Sequence, residues 1–216
     1  MAFIPANWNI VVLGKWNRAI FTPSRVSQDL FGLSETDPVE VMVPLDVLGP
    51  YQIKHEKLVL IPDDERLTIV ALECDFETLE KALVISSAAV TGLPKTPLTA
   101  AGINVRYTVD ADMGRLGKLV QDDSDNDLSD ERFEILARSH RRTLKWNDGR
   151  LNIWIDQKED YSFDLLFNFD LSSTDVNALS QWLSPSVQVI EQTVKTLFEK
   201  YLQISYSDNN NATTPK

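Results

Sequence analysis

A cluster of carboxylates in residues 123–134 is the first group whose types and spacing could do chemistry. In "DSDNDLSDERFE", carboxylates fill the first, third, fifth and twelfth positions of the calcium-loop template: Asp123, Asp125, Asp127 and Glu134. The sixth position holds Leu128, whereas the template needs glycine there for a sharp turn. We therefore favour a disordered, solvated loop over a calcium site, and we predict no metal or cofactor elsewhere.

Side chains that serve as nucleophiles or zinc ligands are sparse. Cys74 is the single cysteine, and His55 and His140 lie in predicted strands without further ligands at zinc spacing. The segment "GLPKT" (92–96) lacks the glycine-rich loop of a P-loop, and the chain has no G-x-S-x-G elbow. No catalytic constellation stands out, so an enzyme whose site is assembled from distant residues ranks third among the hypotheses.

The most basic stretch is "RSHRRTLKWNDGRLNIWID" (138–156). Its "NDG" predicts a hairpin with Asp148-Gly149 at the tip, supplying the positive φ angles of a type I′ turn. That register sets Arg141 opposite Asp156, brings Trp154 near Arg141 and divides the cations between both faces. A phosphate-binding patch needs its cations on one carboxylate-free face. We therefore predict an ion-paired sheet face and no nucleic-acid partner.

The strand "INVRYTV" (103–109) carries two polar side chains on the face opposite its apolar residues. If this strand neighbours the hairpin, polar residues of both share an outer sheet surface. Arg and Trp are frequent anchors of protein interfaces. The hypothesis of a partner-binding surface therefore names Asn104, Arg106, Arg141 and Trp154, and ordinary solvated positions are the alternative.

Composition limits the partners and the compartment. The 216 residues carry a net charge of −11, which disfavours nucleic acid and anionic membranes and favours protein partners, either basic or a second copy of the chain. No apolar stretch reaches the ~18 residues that a membrane span needs. A single Cys74 and an N-terminus without a basic leader predict a cytoplasmic protein.

Hydrophobic periodicity predicts the elements that hold these residues. Strands are expected at 9–16, 39–45, 51–61, 66–72, 103–109, 133–146, 151–157 and 161–171, and helices at 22–32, 75–90, 111–120, 172–183 and 185–204. Both halves thus give strand, helix, three strands and helix, offset by roughly 95 residues, which suggests a pseudo-duplication.

The predicted fold class is α+β, with antiparallel sheets packed against amphipathic helices. Residues 1–95 and 96–204 form either two similar α+β lobes or one continuous domain. Residues 205–216, "SYSDNNNATTPK", are expected to be a disordered tail.

Three segments of the second half carry a family resemblance. They are Gly102–Tyr107, a Gly-x-x-x-Tyr strand lengthened by one residue; a strand that closes with Asp170; and a final helix with Phe198 and Glu199. In these segments the C-terminal half resembles sporadically distributed, uncharacterised bacterial families. The resemblance implies a prokaryotic accessory protein and no particular activity.

The sequence therefore predicts a non-catalytic, cytoplasmic protein-interaction or assembly protein of a prokaryote. The alternative is a helix-grip protein for small apolar ligands, in which the helix at 185–204 closes a curved sheet over a cavity. An interior cavity above ~300 Å³ would favour this alternative, whereas a filled core with an exposed apolar-aromatic patch would favour the interaction role.

Overall fold

The structure is a computed structural model that describes residues 3–34, 36–44, 49–110 and 114–206. Its strands are β1 (Phe3–Pro5), β2 (Asn9–Gly14), β3 (Glu40–Met42), β4 (Gln52–His55), β5 (Leu58–Pro62), β6 (Arg66–Ala71), β7 (Leu98–Val109), β8 (Arg138–Trp146), β9 (Gly149–Gln157) and β10 (Phe163–Ser172). Its helices are α1 (Pro23–Arg25, continued by π-helical turns over Val26–Leu30), α2 (Phe76–Gly92), α3 (Arg115–Val120), α4 (Asp125–Asp130), α5 (Val176–Trp182) and α6 (Val187–Thr196, continued by π-helical turns over Leu197–Leu202). A 3-10 turn covers Arg18–Ile20. None of the described helices is long and apolar enough to cross a membrane.

The described strands form one antiparallel sheet of ten strands in the order β3-β4-β5-β6-β2-β7-β10-β9-β8, with β1 beside β7. At its centre, β2 of the first half pairs with β7 of the second. From this pair outward, β6, β5 and β4 follow on one side, and β10, β9 and β8 follow on the other. Strands of both predicted lobes therefore share one sheet. Together, the sheet and the helices confirm the predicted α+β class.

Alternation of side chains along the strands decides which face of the sheet is buried. In β7, every second residue from 101 to 109 is buried, and the residues between them are half-buried or exposed. Helices α2, α5 and α6 add Leu79, Leu179 and Ile190 to the same core. We call the side packed against these residues the core face and the opposite side the outer face.

Helix boundaries follow the predicted capping signals. Thr22 accepts a hydrogen bond from the Arg25 backbone N–H at 3.3 Å, and Gly32, with φ of +68°, follows the end of the helical segment. Asp75 caps α2 by accepting a hydrogen bond from the Thr78 N–H at 2.7 Å. The predicted helices at 22–32 and 75–90 are therefore confirmed.

The predicted strand at 51–61 is wrong as a single element. The structure divides it into β4 and β5, which pair antiparallel across a tight turn. Glu56 adopts a φ of 48° in this turn, a left-handed conformation that few non-glycine residues take. The apolar pattern did not reveal the turn because it contains no glycine, proline or asparagine.

The acidic segment and the C-terminal tail also differ from expectation. Residues Asp125–Asp130 form α4 rather than a disordered loop, and Asp125 is held by the Arg138 guanidinium at 2.6 Å. At the C-terminus, the Tyr206 ring stacks on Phe3 with centroids 5.1 Å apart. Ser205 and Tyr206 of the predicted disordered tail (205–216) are therefore described as part of the structure, and 207–216 lie outside the described residues.

The hairpin of β8 and β9 has the predicted faces and a different register. The structure pairs Trp146 with Gly149, so that Asn147 and Asp148 form the tip, and Asn147 carries the positive φ of 49°. Arg141 consequently lies opposite Trp154 instead of Asp156. The shift is two residues, and because side chains alternate with a period of two, every residue keeps its face.

Candidate functional site

The outer face carries a row of polar side chains that crosses the sheet. Strands β2, β7, β10, β9 and β8 lie side by side here, and their registers set polar residues directly opposite one another. The row consists, in order, of Asn9, Asn104, Asn168, Asn152 and Thr143. Each of these residues sits at an outward position of a strongly alternating strand, which is why the sheet brings them together.

Hydrogen bonds join this row into a ladder, which we call the amide ladder. Asn104 donates to Asn9, Asn168 donates to Asn104, and Asn152 donates to Asn168, each from Nδ2 to Oδ1 at 2.9 Å. Thr143 donates from Oγ1 to Asn152 Oδ1 at 2.8 Å. Asn104 and Asn168 each keep one N–H and one acceptor position after these bonds, whereas Asn152 also donates to Asp170 Oδ1 at 2.6 Å. The ladder therefore fixes a line of oriented polar groups on an uncovered face.

A second row lies next to the amide ladder. Arg106 of β7 faces Leu166 of β10, Leu166 faces Trp154 of β9, and Trp154 faces Arg141 of β8. The guanidinium carbon of Arg141 lies 4.7 Å from the centroid of the Trp154 ring, a cation–π contact. This row forms an aromatic and cationic strip with Leu166, only 6% exposed, at its centre.

A recess of about 130 Å³ opens beside this strip. We call it the outer-face recess. Its wall includes Asn7, Arg106, Trp154, Asp156, Asp164 and Leu166. It therefore combines a guanidinium, an indole ring, carboxylates and an apolar floor.

The carboxylates of the recess are already engaged. Asp156 accepts a hydrogen bond from Ser139 Oγ at 2.6 Å, and Asp164 pairs with Lys158 Nζ at 2.9 Å. Asp164 also accepts from Thr108 Oγ1 at 3.3 Å. These partners stabilise two carboxylates that lie directly opposite each other in the register.

Several cations on the same face are not engaged in this way. Within the described part of the chain, no ion pair involves Arg106, Arg141 or Lys145. Cations also outnumber carboxylates among the described outer-face strand residues: Lys54, Arg66, Arg106, Arg141, Lys145 and Arg150 against Glu40, Asp156, Asp164 and Asp170. The strand residues of the outer face therefore carry a small excess of positive charge, six cations against four carboxylates, on an acidic chain.

The structure places all four residues of the predicted interaction surface on the outer face. Arg106, Trp154 and Arg141 share one row, and Asn104 lies in the neighbouring amide ladder. The grouping was predicted on the condition that β7 neighbours the hairpin. That condition is not met, because β10 lies between them. Strand β10 instead connects them, through Leu166 in one row and an amide in the other.

Sequence reasoning missed the other members of the amide ladder, Asn9, Asn152 and Asn168. One signal was available, since asparagine is depleted in strands and each of these residues stands inside a strongly apolar alternating run. An asparagine inside such a strand is more often bonded to a specific side-chain partner, or used for function, than simply solvated.

The calcium-loop residues do not converge. Asp125 is paired with Arg138, while Asp123 and Glu134 are exposed on either side of α4. Across the described ranges, no group of three or more His, Cys, Asp or Glu is arranged to hold a metal ion.

Cys74 is half-buried, and burial raises the pKa of its thiol, so the reactive thiolate is disfavoured.

Aromatic side chains fill the space between the sheet and the C-terminal helix. The ring of Tyr107 lies 4.9 Å from that of Phe198 and 6.2 Å from that of Phe167, measured between centroids. Burial raises the pKa of Tyr107 far above its ordinary value, and its hydroxyl lies 3.3 Å from that of Tyr206.

A groove of about 680 Å³, larger than the outer-face recess, lies at the tip of the hairpin beside Trp146 and Trp182 and opens to solvent.

No protein-family model and no curated protein matches the chain.

Proposed function

We propose that the protein is a non-catalytic binding module that recognises a protein partner through its outer face, with the outer-face recess at the centre of the contact. One observation carries the proposal. Arg106 and Arg141 lie on the outer face in the same row as Trp154, Arg141 contacts the Trp154 ring, and neither arginine forms an ion pair with any described residue. Arginine and tryptophan in such a setting are the residues on which binding energy concentrates.

The charge of the outer face favours a partner segment that carries carboxylates. Opposite charges across an interface speed association and select the partner. A polynucleotide fits less well, because Asp156, Asp164 and Asp170 lie among the cations and the whole chain carries a charge of −11. This proposal replaces the expectation of a basic or identical partner, which followed from the net charge alone.

The filled interior weighs against the helix-grip alternative. Tyr107, Phe167 and Phe198 occupy the space where an apolar ligand would lie. The outer-face recess, at about 130 Å³, is smaller than the roughly 300–1,000 Å³ of a typical small-molecule site. The groove near Trp146 and Trp182 is larger, but it lies at the hairpin tip rather than between α6 and the sheet.

The same proposal includes an origin by duplication and a cytoplasmic location in a prokaryote. The strand order supports duplication, because β2-β6-β5-β4 and β7-β10-β9-β8 run outward from the central pair in the same sequence of elements. The single Cys74 supports a reducing compartment.

Affinity purification with matched baits tests the binding role. The baits are the wild-type protein, Arg106→Glu, Trp154→Ala and the control Arg66→Glu, which makes the same charge change on an outer-face strand residue of the first half. We expect wild type and Arg66→Glu to capture the same acidic protein from a lysate of the native host. Arg106→Glu and Trp154→Ala should lose it, and calorimetry with the purified partner should show about tenfold weaker binding or more.

Two results would overturn the proposal. One is equal capture of the partner by all four baits, which would place the contact elsewhere on the chain. The other is capture of nuclease-sensitive material in place of a protein, which would assign the cations to a phosphate backbone.

A further inference from the structure

Strand β8 forms one edge of the sheet, and its outer side is unpaired among the described strands, since β8 pairs only with β9. It is nine residues long. The register closes a two-residue turn between Trp146 and Gly149, which makes these two a hydrogen-bonded pair. Hydrogen-bonded and non-hydrogen-bonded pairs alternate along an antiparallel ladder. The backbone N–H and C=O groups of Ser139, Arg141, Thr143 and Lys145 therefore point away from the sheet.

The side chains along this edge are cationic on both faces. Arg141 and Lys145 project from the outer face, beside the outward backbone groups, and Arg142 is exposed on the other face. Leu144 stands next to Arg142 on that face and is 44% exposed. The Arg142 guanidinium donates to the Arg141 carbonyl oxygen at 3.0 Å, a bond that an incoming N–H would replace. The edge thus offers a hydrogen-bonding ladder flanked by positive charge and one apolar contact.

We propose that β8 receives an extended, acidic segment of the partner protein as an added antiparallel strand of the sheet. This inference rests on the proposed function and specifies the conformation and chemistry of the partner. In such β-strand addition, backbone hydrogen bonds supply affinity and alternate side chains supply specificity. Residues of the guest that bond to β8 share its outer face, so their carboxylates meet Arg141 and Lys145. A guest side chain on the other face covers Leu144.

A second copy of this chain is a poorer occupant of the edge. Antiparallel pairing of β8 with itself would bring Arg141, Arg142 and Lys145 of the two copies close together, and like charges on paired strands destabilise a sheet. Cations on an edge strand also protect proteins against association with their own copies. The same cations attract a strand of opposite charge.

Selective N-methylation tests the geometry of strand addition. The probe is a nine-residue acetylated and amidated peptide that alternates Glu and Thr. In the proposed arrangement the Glu residues bond to β8, so N-methylation of the Glu residues removes the required N–H groups. N-methylation of the Thr residues leaves those groups intact and serves as the control, with the same charge and the same side chains.

We expect the unmodified and the Thr-methylated peptides to bind with similar affinity in an NMR titration. Amide protection should rise at Arg141, Thr143 and Lys145. The Glu-methylated peptide should bind about tenfold more weakly or worse, because several backbone hydrogen bonds are lost. Equal binding of both methylated peptides, no binding of the unmodified peptide, or protection of the same amides by dimerisation of the chain would each overturn the inference.

A pair of variants separates this inference from the proposed function. Thr143→Pro removes one outward N–H at a position where an edge strand tolerates proline, and Thr143→Ala keeps that N–H. Loss of the captured partner in Thr143→Pro but not in Thr143→Ala supports strand addition. Loss in Arg106→Glu with full retention in Thr143→Pro leaves the outer-face function standing and overturns strand addition.

Discussion

Asn104 donates a hydrogen bond from Nδ2 to Oδ1 of Asn9 over 2.9 Å, and the two residues face each other where β2 of the first half meets β7 of the second. The bond is the first step of the amide ladder, which continues through Asn168 and Asn152 to Thr143. The ladder therefore ties the outer surface of the second half to the centre of the sheet. It also holds the neighbouring row, with Arg106 and Trp154, on strands of fixed register.

Replacing Asn168 by alanine should weaken the fold through this ladder. Asn168 donates to Asn104 and accepts from Asn152, so the Asn168→Ala variant loses two bonds and leaves the half-buried Asn104 Oδ1 without its donor, while Asn152 keeps its bond to Asp170. We expect the free energy of unfolding to fall by about 1–3 kcal/mol. Urea denaturation followed by tryptophan fluorescence measures this change.

Thr143→Ala is the matched control for the ladder. Thr143 ends the row, is exposed, and loses a single bond to Asn152 when truncated. Its free energy of unfolding should fall by about 0.5 kcal/mol or less, because water replaces the lost partner at an exposed site. The importance of the ladder would be refuted if Asn168→Ala proved no more destabilising than Thr143→Ala.

Gly149 should tolerate no added side chain. A Cβ built there would meet the Asp170 carbonyl oxygen at less than contact distance and would lie 2.7 Å from Trp182 Cη2. We expect Gly149→Ala to lower the free energy of unfolding by about 1–3 kcal/mol through overpacking. Gly92→Ala is the control, since nothing lies within 4 Å of a Cβ at this last residue of α2. Thermal melts in which both variants behave alike would contradict the packing assigned to Gly149.

The pair of Arg138 and Asp125 should anchor α4 to the sheet. Nε of Arg138 lies 2.6 Å from Asp125 Oδ2, and the two side chains are only 24% and 14% exposed. We expect Arg138→Gln to speed amide hydrogen exchange in residues 125–130 and to cost about 1–2 kcal/mol locally. The exposed pair of Lys15 and Glu65 provides the comparison, because Lys15→Gln should leave exchange and stability nearly unchanged. Unaltered exchange of α4 in Arg138→Gln would show that the ion pair is dispensable.

Features that depend on local pattern could be predicted from the sequence, and those set by distant contacts could not. The faces of β8 and β9 follow from alternation with a period of two, so Arg141 and Trp154 could be assigned to one surface. The observed register places Gly149 where an added Cβ would clash with the Asp170 carbonyl and with Trp182. The local sequence "NDGR" gives no indication of this packing against distant residues.

The composition of the candidate site shows the same limit. Asn104 and Arg106 could be selected because they stand opposite the apolar face of their own strand. The partners Asn9 and Asn168 come from strands far along the chain, and which strands become neighbours is decided by long-range pairing. The amide ladder and the row with Arg106 and Trp154 can therefore be identified only once the strand order is known.

His140 should make stability depend on pH. Its Nε2 lies 2.7 Å from the Tyr201 hydroxyl, where α6 meets the edge strand. Burial lowers the pKa of His140 below the ordinary value of 6.5, and the cations Arg142 and Arg115 act in the same direction, against a backbone hydrogen bond with Leu119. The folded state therefore binds a proton less readily than the unfolded chain does.

The sign of the pH effect follows from this difference. As the pH falls below about 6.5, the unfolded chain takes up a proton at residue 140 before the folded chain does, so the free energy of unfolding decreases. The contribution of His140 is thus fully present above the unfolded pKa and is lost as the pH falls through the folded one. Carboxylates such as Asp37 and Asp122, whose pKa values are held below 3.8 by hydrogen bonds from serine, lose their contribution only at more acidic pH.

Urea denaturation between about pH 7.5 and pH 5.5 measures this slope. We expect the wild-type protein to lose stability on acidification across this range, and His140→Gln to lose much less. Tyr201→Phe should keep the wild-type slope, because it removes the hydroxyl while leaving in place the burial that is the largest cause of the shift. An equal slope in wild type and His140→Gln would assign the pH dependence to other groups, and a wild-type protein that gains stability on acidification would reverse the direction inferred for His140.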